Sequence, residues 1–442
     1  MKEIKKSAKK IVKKIPYIKN YVNKYELLRI QLEDEKAKTL FYANKAIDKR
    51  LQLKMINAEK INVVFVCHRP AVWETLHSVY DAIKMDERFN VYIVAIPSKN
   101  ELPGVAFNHE IYESEGAEEF WKKYDCINGY NYDSKEWFDL KTLNPDFVFF
   151  QQPYNIMKPE PYKSYNVALY AKICYLNYFS PVNFGEVYDE CTPLDFLRDI
   201  SFYFTQNELD HKYICNRYSQ IKNSITNIIM TGYPRYDNLC NYKNSRCDIW
   251  NYDNRPRIIW TPRWTTNEGN CHFFDYKDKL FDFCIKNEVE FVFRPHPQAF
   301  AEWNATGEFT SKQKEELFIQ YEKYDNMHID ESSSYLDKFY SSDILISDVS
   351  SIMYDYLLTG NPIIYCTSSG VNDEATLLKD GMYLANDWET VEKLLLKIIN
   401  KEDELKTKRQ EVIKSAYYFN EKGAGNEIKD ILINYSKGKG RR

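Results

Sequence analysis

Four polar stretches in the second half of this 442-residue chain each follow a short apolar run: Thr261-Pro-Arg-Trp264, Arg294-Pro-His-Pro297, Asp330-Glu331 and Ser347-Asp-Val-Ser-Ser351. Their residue types suit a phosphate-bearing ligand. An Arg fork donates two parallel hydrogen bonds and so matches a diphosphate. A His titrating near neutrality moves protons or donates to a phosphate oxygen. In the second stretch two prolines fix φ and push the residues before them to extended shapes, so Arg294 and His296 project from a stiff turn. Ser347, Asp348, Ser350 and Ser351 crowd the start of a short helical stretch that stops at Gly360. A helix N-cap uses one such residue. A pyrophosphate held between free backbone amides there and Arg294 or Arg263 accounts for the surplus.

The first half supplies a second set: Cys67-His68-Arg69-Pro70, Gln151-Gln152-Pro153-Tyr154-Asn155, Asn177-Tyr178, Gln206-Asn207, and a run from Thr231 and Gly232 to Leu239. One Arg or His at a strand end commonly just satisfies carbonyls or pairs with an acid. Convergence of many in one crevice is different, because unpartnered polar groups are costly there without a ligand or solvent. There is no GxGxxG and no GxxxxGK, so neither a dinucleotide fingerprint nor a P-loop is present.

The elements that must position these residues are twelve short apolar runs. The first six are Asn62–Val66, Val91–Ile96, Asp146–Phe150, Lys172–Leu176, Phe202–Phe204 and Ile228–Met230. The second six are Arg257–Trp260, Glu290–Phe293, Met327–Ile329, Ile344–Ile346, Pro362–Tyr365 and Gly381–Leu384. Segments of helical length separate most of them, the pattern of βαβ units. The expected fold class is α/β, with two doubly wound Rossmann-like domains whose ligand crevice lies outside the carboxyl ends of the strands. The expected division is a helical extension over 1–60, a first domain over 61–240, a second over 241–400, and helices over 401–442.

Composition narrows the class. Apolar residues at 44% and aromatic residues at 16% are ample for two cores. Ten cysteines show no CxxC pair and no metal-ligand spacing, and several lie in or after apolar runs, which points to reduced thiols and a cytoplasmic setting. No metal or other cofactor is expected. No apolar run reaches the length of a membrane span. The first twenty residues hold eight Lys against one Glu, with Ile4, Ile11, Val12 and Ile15 on one helical face. Such a helix suits an anionic membrane surface at residues 1–20, and equally a solvated basic tail. From Tyr21 to Lys60 spaced Leu and Ile continue as a stalk or packing helix. A nucleic-acid partner is disfavoured, since the basic tail lacks interleaved stacking aromatics.

Gly232-Tyr-Pro-Arg235 with Asp237, Trp260-Thr-Pro-Arg263, Arg294-Pro-His-Pro297, and Ser347-Asp-Val-Ser-Ser351 followed by Tyr354-Asp355 resemble, in order and spacing, the CDP-glycerol glycerophosphotransferase family of teichoic-acid polymerases and primases. The resemblance runs from about Thr231 to Tyr365. It implies a GT-B fold and transfer of glycerol phosphate, or a related polyol phosphate, from a CDP-activated donor to a hydroxyl of a membrane-linked polymer. It further implies that Thr231, Gly232, Arg263, Arg294, Ser350 and Ser351 hold the donor's diphosphate, with Ser347 and Asp348 in the same turn, and that Asp330 or Glu331 addresses the ribose or base. His296 matches the family's pattern. The family's first-half Trp-His-Gly-Thr-Pro motif is absent: the comparable stretch, Ile173 to Pro181, has no His. His68, on a different strand end, is the substitute proton acceptor this leaves. Two other readings stay open: a glycosyltransferase of the same architecture using a nucleotide sugar, and a non-catalytic scaffold assembling surface-polymer enzymes through residues 1–60.

Overall fold

In the computed structural model the described residues are 16–99, 109–113, 115–178, 191–219, 221, 225–237, 247–332, 335–368 and 378–438. Each half of the chain forms one all-parallel sheet. The first is built from β1 (Ile61–Cys67), β2 (Phe89–Ala95), β3 (Ile127–Asn128), β4 (Phe147–Phe150), β5 (Lys172–Leu176), β6 (Phe202–Thr205) and β7 (Asn227–Met230). Their order across the sheet is β7-β6-β5-β4-β1-β2-β3. The second sheet holds β8 (Arg257–Thr261), β9 (Glu290–Phe293), β10 (Met327–Ile329), β11 (Ile344–Ser347), β12 (Ile363–Cys366) and β13 (Tyr383–Ala385) in the order β10-β9-β8-β11-β12-β13. All twelve expected strands are present. The first sheet gains one more, β3, a two-residue edge strand with no apolar run to announce it, and two short antiparallel pairs, Ser98–Lys99 with Tyr112–Glu113 and Tyr130–Asn131 with Glu136–Trp137, lie outside both sheets.

These strands form because parallel sheets are covered on both faces and select near-continuous apolar runs. In the second sheet Ile258, Trp260, Phe291 and Phe293 face one helical layer. That layer comprises α4 (Phe273–Lys286), α5 (Ala299–Thr306), α6 (Ser311–Tyr321) and α8 (Trp388–Ile399). Their neighbours Ile259, Val292 and Leu345 face the other, formed by α7 (Ile352–Leu357) and α9 (Lys406–Ala416). In the first sheet Val63 and Phe65 meet α2 (Glu74–Lys84), while Tyr203 on the opposite face meets α3 (Glu208–Tyr218).

Both terminal segments are helical, and both pack onto the first domain. The 41-residue helix α1 (Pro16–Ile56) is not a stalk throughout. Ile47 and Leu51 are buried in the first domain's core, and Asp146 at the start of the β4 segment takes Arg50 at 3.1 Å and Lys54 at 2.6 Å. The last helix, α10 (Ala424–Ser436), returns to the same core through Ile428, Leu432 and Ile433. Asp237 fixes its start: one carboxylate oxygen accepts the Ala424 amide, and the other the Gly425 amide and the Ser78 hydroxyl, all at 2.7 Å. A side chain at Gly425 would place Cβ 2.5 Å from the Ser78 carbonyl oxygen, so only glycine lets α10 and α2 meet this closely.

Candidate functional site

In both sheets the strand order reverses beside the first strand of the half, at β1/β4 and at β8/β11, which is where a doubly wound sheet opens its ligand crevice. At the first reversal Gln151 ties the two strand ends together. Its side-chain oxygen accepts the His68 and Arg69 amides at 2.7 and 3.0 Å, and its amide nitrogen donates to the Arg69 carbonyl at 3.1 Å. His68 is thereby buried. Burial first, then the nearby Arg69 and Lys158 charges, push its pKa down to about 3. A ring that sheds its proton so readily takes one up less easily near neutral pH.

At the second reversal the loops after β8, β9 and β11 lie side by side, because β8 pairs with both β9 and β11. They bring together Arg263, Arg294, His296 and the Ser347–Ser351 turn. Arg263 pairs with Glu268 through Nη2 at 2.7 Å and bonds the Thr265 hydroxyl at 2.9 Å. Arg294 pairs with Asp330 and donates to the Ser332 carbonyl at 2.8 Å. Each guanidinium carries five donors, so these contacts orient the arginines while leaving N–H groups for a ligand. His296 is solvent-exposed at its edge and stacks on Trp264 with ring centres 5.4 Å apart. Its Nδ1 accepts the Gln298 amide at 3.2 Å, which puts the proton of the neutral ring on Nε2. Loss of solvent on the stacked face, then the Arg263 charge, lower its pKa to about 4. Near neutrality His296 is a hydrogen-bond donor rather than a cation.

Several of the residues expected to meet the ligand make contacts within the protein. Ser347 is fully buried, accepts the Thr261 hydroxyl at 2.7 Å and donates to the Asp348 carbonyl at 2.7 Å, welding β8 to β11. Asp348 is also fully buried, and its carboxylate is committed to the Arg263 amide at 2.7 Å, the His272 amide at 3.0 Å and His272 Nδ1 at 2.6 Å. Asp330 holds Arg294 with one carboxylate oxygen and accepts the Ser332 amide with the other. Glu331 is exposed and pairs with Lys314 at 2.9 Å. Thr231 is fully buried with its hydroxyl on the Gly232 carbonyl. Gly232, at φ 86°, lies against Tyr418 and Ala424 of the chain's return path. Ser350 is half-buried and Ser351 exposed, at the opening of α7, and Ser351 makes no side-chain cap. Helix α7 has only six residues, so the arginines carry more of the attraction for an anion than its dipole does.

The motif residues that sequence reasoning quoted without a role join the two domains. Arg235, following β7, forms an ion pair with Asp355 of α7 at 3.0 Å. Asp355 also accepts the Tyr335 hydroxyl at 2.5 Å and the Tyr236 hydroxyl at 3.4 Å. The Arg235 and Arg294 guanidinium carbons sit 5.3 and 5.2 Å from the Tyr335 ring centre, a cation–π contact from each. The domain junction and the arginine of the stiff turn therefore share one aromatic ring. Sequence reasoning also missed His272. Its only signal was its place one residue ahead of α4, since no motif includes it.

Solved structures with the same fold include the wall teichoic acid polymerase TagF, 14% identical, covering 96% of this chain and 99% of that one with a TM-score of 0.54. They include also the UDP-GlcNAc 2-epimerase of Neisseria meningitidis bound to UDP-GlcNAc, 13% identical, covering 85% and 100% with a TM-score of 0.56. At these identities the likeness establishes the architecture, two Rossmann-like domains of GT-B type. A curated relative, the minor teichoic acid biosynthesis protein GgaB of Bacillus subtilis (strain 168), is 27% identical over 156 residues. That match takes in 31% of this chain and spans 15% of that protein's length. The family model described as CDP-Glycerol:Poly(glycerophosphate) glycerophosphotransferase matches residues 197–433, more than half of the chain, and to that family the chain belongs.

Proposed function

We propose that this protein transfers a polyol phosphate, glycerol phosphate or a close relative, from a CDP-activated donor to a hydroxyl of a cell-surface polymer or its lipid-linked precursor. In that step the acceptor oxygen bonds to phosphorus, the bond from phosphorus to the bridging oxygen breaks, and CMP departs with the electron pair. The acceptor's proton passes to a base or solvent. Arg263 and Arg294, pre-oriented by Glu268 and Asp330, would steady the diphosphate and the charge growing on the leaving group. His296, neutral with Nε2–H, would donate to a phosphate oxygen. Ser350 and Ser351 would contribute hydroxyl contacts. The reading rests chiefly on one observation: the family match includes each second-domain loop that meets at the β8/β11 crevice. A membrane-bound acceptor fits a peripheral position at the inner membrane face, with the basic residues 1–20 on anionic lipid. Residues 1–15 of these lie outside the described part of the chain, and no helix among the described residues is long and apolar enough to cross a membrane.

The test is direct. Purified protein, CDP-glycerol and a lipid-linked polyol-phosphate acceptor are incubated and nucleotides are resolved by chromatography. CMP is the expected product. Release of UDP or GDP from a nucleotide sugar instead would establish the glycosyltransferase reading, and no turnover with any donor would leave the scaffold.

A further inference from the structure

The loop between β8 and α4, residues 262–272, carries Arg263 and Trp264, the latter against His296. Both its ends are held by one atom. Asp348 Oδ2 accepts the Arg263 amide at 2.7 Å and the His272 amide at 3.0 Å. The second carboxylate oxygen, Oδ1, takes His272 Nδ1 at 2.6 Å. Further bonds brace the loop inside this closure: Cys271 Sγ donates to the Arg263 carbonyl at 2.9 Å, and Trp303 Nε1 donates to the Trp264 carbonyl at 2.7 Å.

A fully buried carboxylate is stable only with a counter-charge and filled lone pairs. Backbone amides supply partial charge alone. The group placed to supply that charge is His272, itself 8% exposed. Its far nitrogen, Nε2, reaches the Ser368 hydroxyl after β12 at 3.3 Å, and its ring stacks on Tyr276 of α4 at 4.9 Å. We infer that His272 is a positioning residue: by closing the Asp348 clasp it sets the loop that presents Arg263 and Trp264, and through Trp264 the ring of His296. The proposal rests on the reading of this crevice as the donor site. It assigns no contact between His272 and the donor.

The clasp has a pH signature. Among the described residues, the charged groups facing His272 are Asp348 from the β11 end and Asp275 from α4, with neutral Tyr276 and Ser368 beside them. Burial alone would lower its pKa, but the bond to Asp348 and the charges of Asp348 and Asp275 outweigh it and the pKa is raised. The protonated form is therefore favoured in the closed clasp. That contribution is present in full below the ordinary His value and is lost as pH rises through the raised one.

The test uses the full chain and CDP as probe, with three readouts. Wild-type CDP affinity by calorimetry is measured between pH 6 and 9; His272→Gln is measured alongside; and hydrogen exchange is followed at the Arg263 and His272 amides. Expected are a wild-type affinity that falls with rising pH and a variant affinity roughly 10- to 100-fold weaker at pH 6.5, the range for losing a buried bond to a charged group. The pH dependence should be flattened in the variant and protection of the Arg263 amide lost, with melting otherwise cooperative. If His272→Gln does not fold, NMR of wild-type His272 decides, since the clasp requires titration above the ordinary His value with the proton on Nδ1. Unchanged affinity and exchange in a folded variant, or wild-type titration at or below the ordinary value, overturns the inference. Failure of wild-type protein to bind CDP at any pH sinks the donor-site reading instead, and the exchange and NMR readouts then judge the clasp alone.

Discussion

Replacing Asp355 by Asn tests whether the two domains are joined as the ion pair implies. The side chains of Arg235 and Asp355 are 13% and 6% exposed. Asn is nearly isosteric and keeps one oxygen; Tyr335 and Tyr236 bond different carboxylate oxygens, so one hydroxyl keeps its acceptor and the other, facing the new amide, must accept instead of donate. The Arg235 guanidinium is then left buried without its counter-ion, a change that costs about 3–5 kcal/mol. Removing both charges together in Arg235→Met/Asp355→Asn leaves no uncompensated ion and should recover much of that loss. The assay is urea unfolding at pH 7 of wild type, both single variants and the double, followed by tryptophan fluorescence. The expected outcome is a coupling energy of several kcal/mol, with Asp355→Asn the least stable of the set. Additive losses in the double variant, or a neutral Asp355→Asn, would refute the reasoning and show that the tyrosines rather than the charge pair hold the junction.

Three further outcomes are expected. His296→Ala should remove CMP release while leaving the far-ultraviolet circular dichroism unchanged; because its pKa is lowered to about 4, the wild-type rate should show no His296 inflection near 6.5, a point settled by a rate profile from pH 4.5 to 8. Asp330→Ala frees Arg294 from its carboxylate partner, so CDP and UDP affinities should fall by the same factor in calorimetry; a loss confined to one base would instead restore Asp330 as a nucleotide-reading residue. Gly425→Ala forces Cβ against the Ser78 carbonyl, an overpacking worth about 1–3 kcal/mol, visible as a lowered melting temperature with CDP affinity retained.

The strands were legible because parallel sheets buried on both faces demand apolar runs, and β1, β8 and β11 are almost nothing else. Strand β3 escaped because Ile127-Asn128 offers no such run. Where the helical ends of the chain pack was not legible, for a related reason. Leu51 and Ile428 look alike as members of spaced apolar patterns, and no local rule says that they meet on the same sheet. At the crevice, position was legible and commitment was not. Arg294 and His296 follow a strand end, which sequence shows. That Ser347 faces Thr261, or that Asp348 spends its oxygens on Arg263 and His272, depends on contacts between segments 76 and more residues apart. The surplus of hydroxyl and acid groups read as ligand-binding is partly the material that closes the loops.

The return of α10 to the first sheet bears on how the protein is made. Ile428, Leu432 and Ile433 leave the ribosome only after the whole second sheet has been synthesised, so the earlier lobe must wait with an uncovered apolar face while the later one is already competent to fold. Domains that are contiguous in the chain escape this interval of exposure. Here the lobe synthesised first is the one completed last, and a pause or truncation before residue 424 would strand it half-finished beside an intact neighbour.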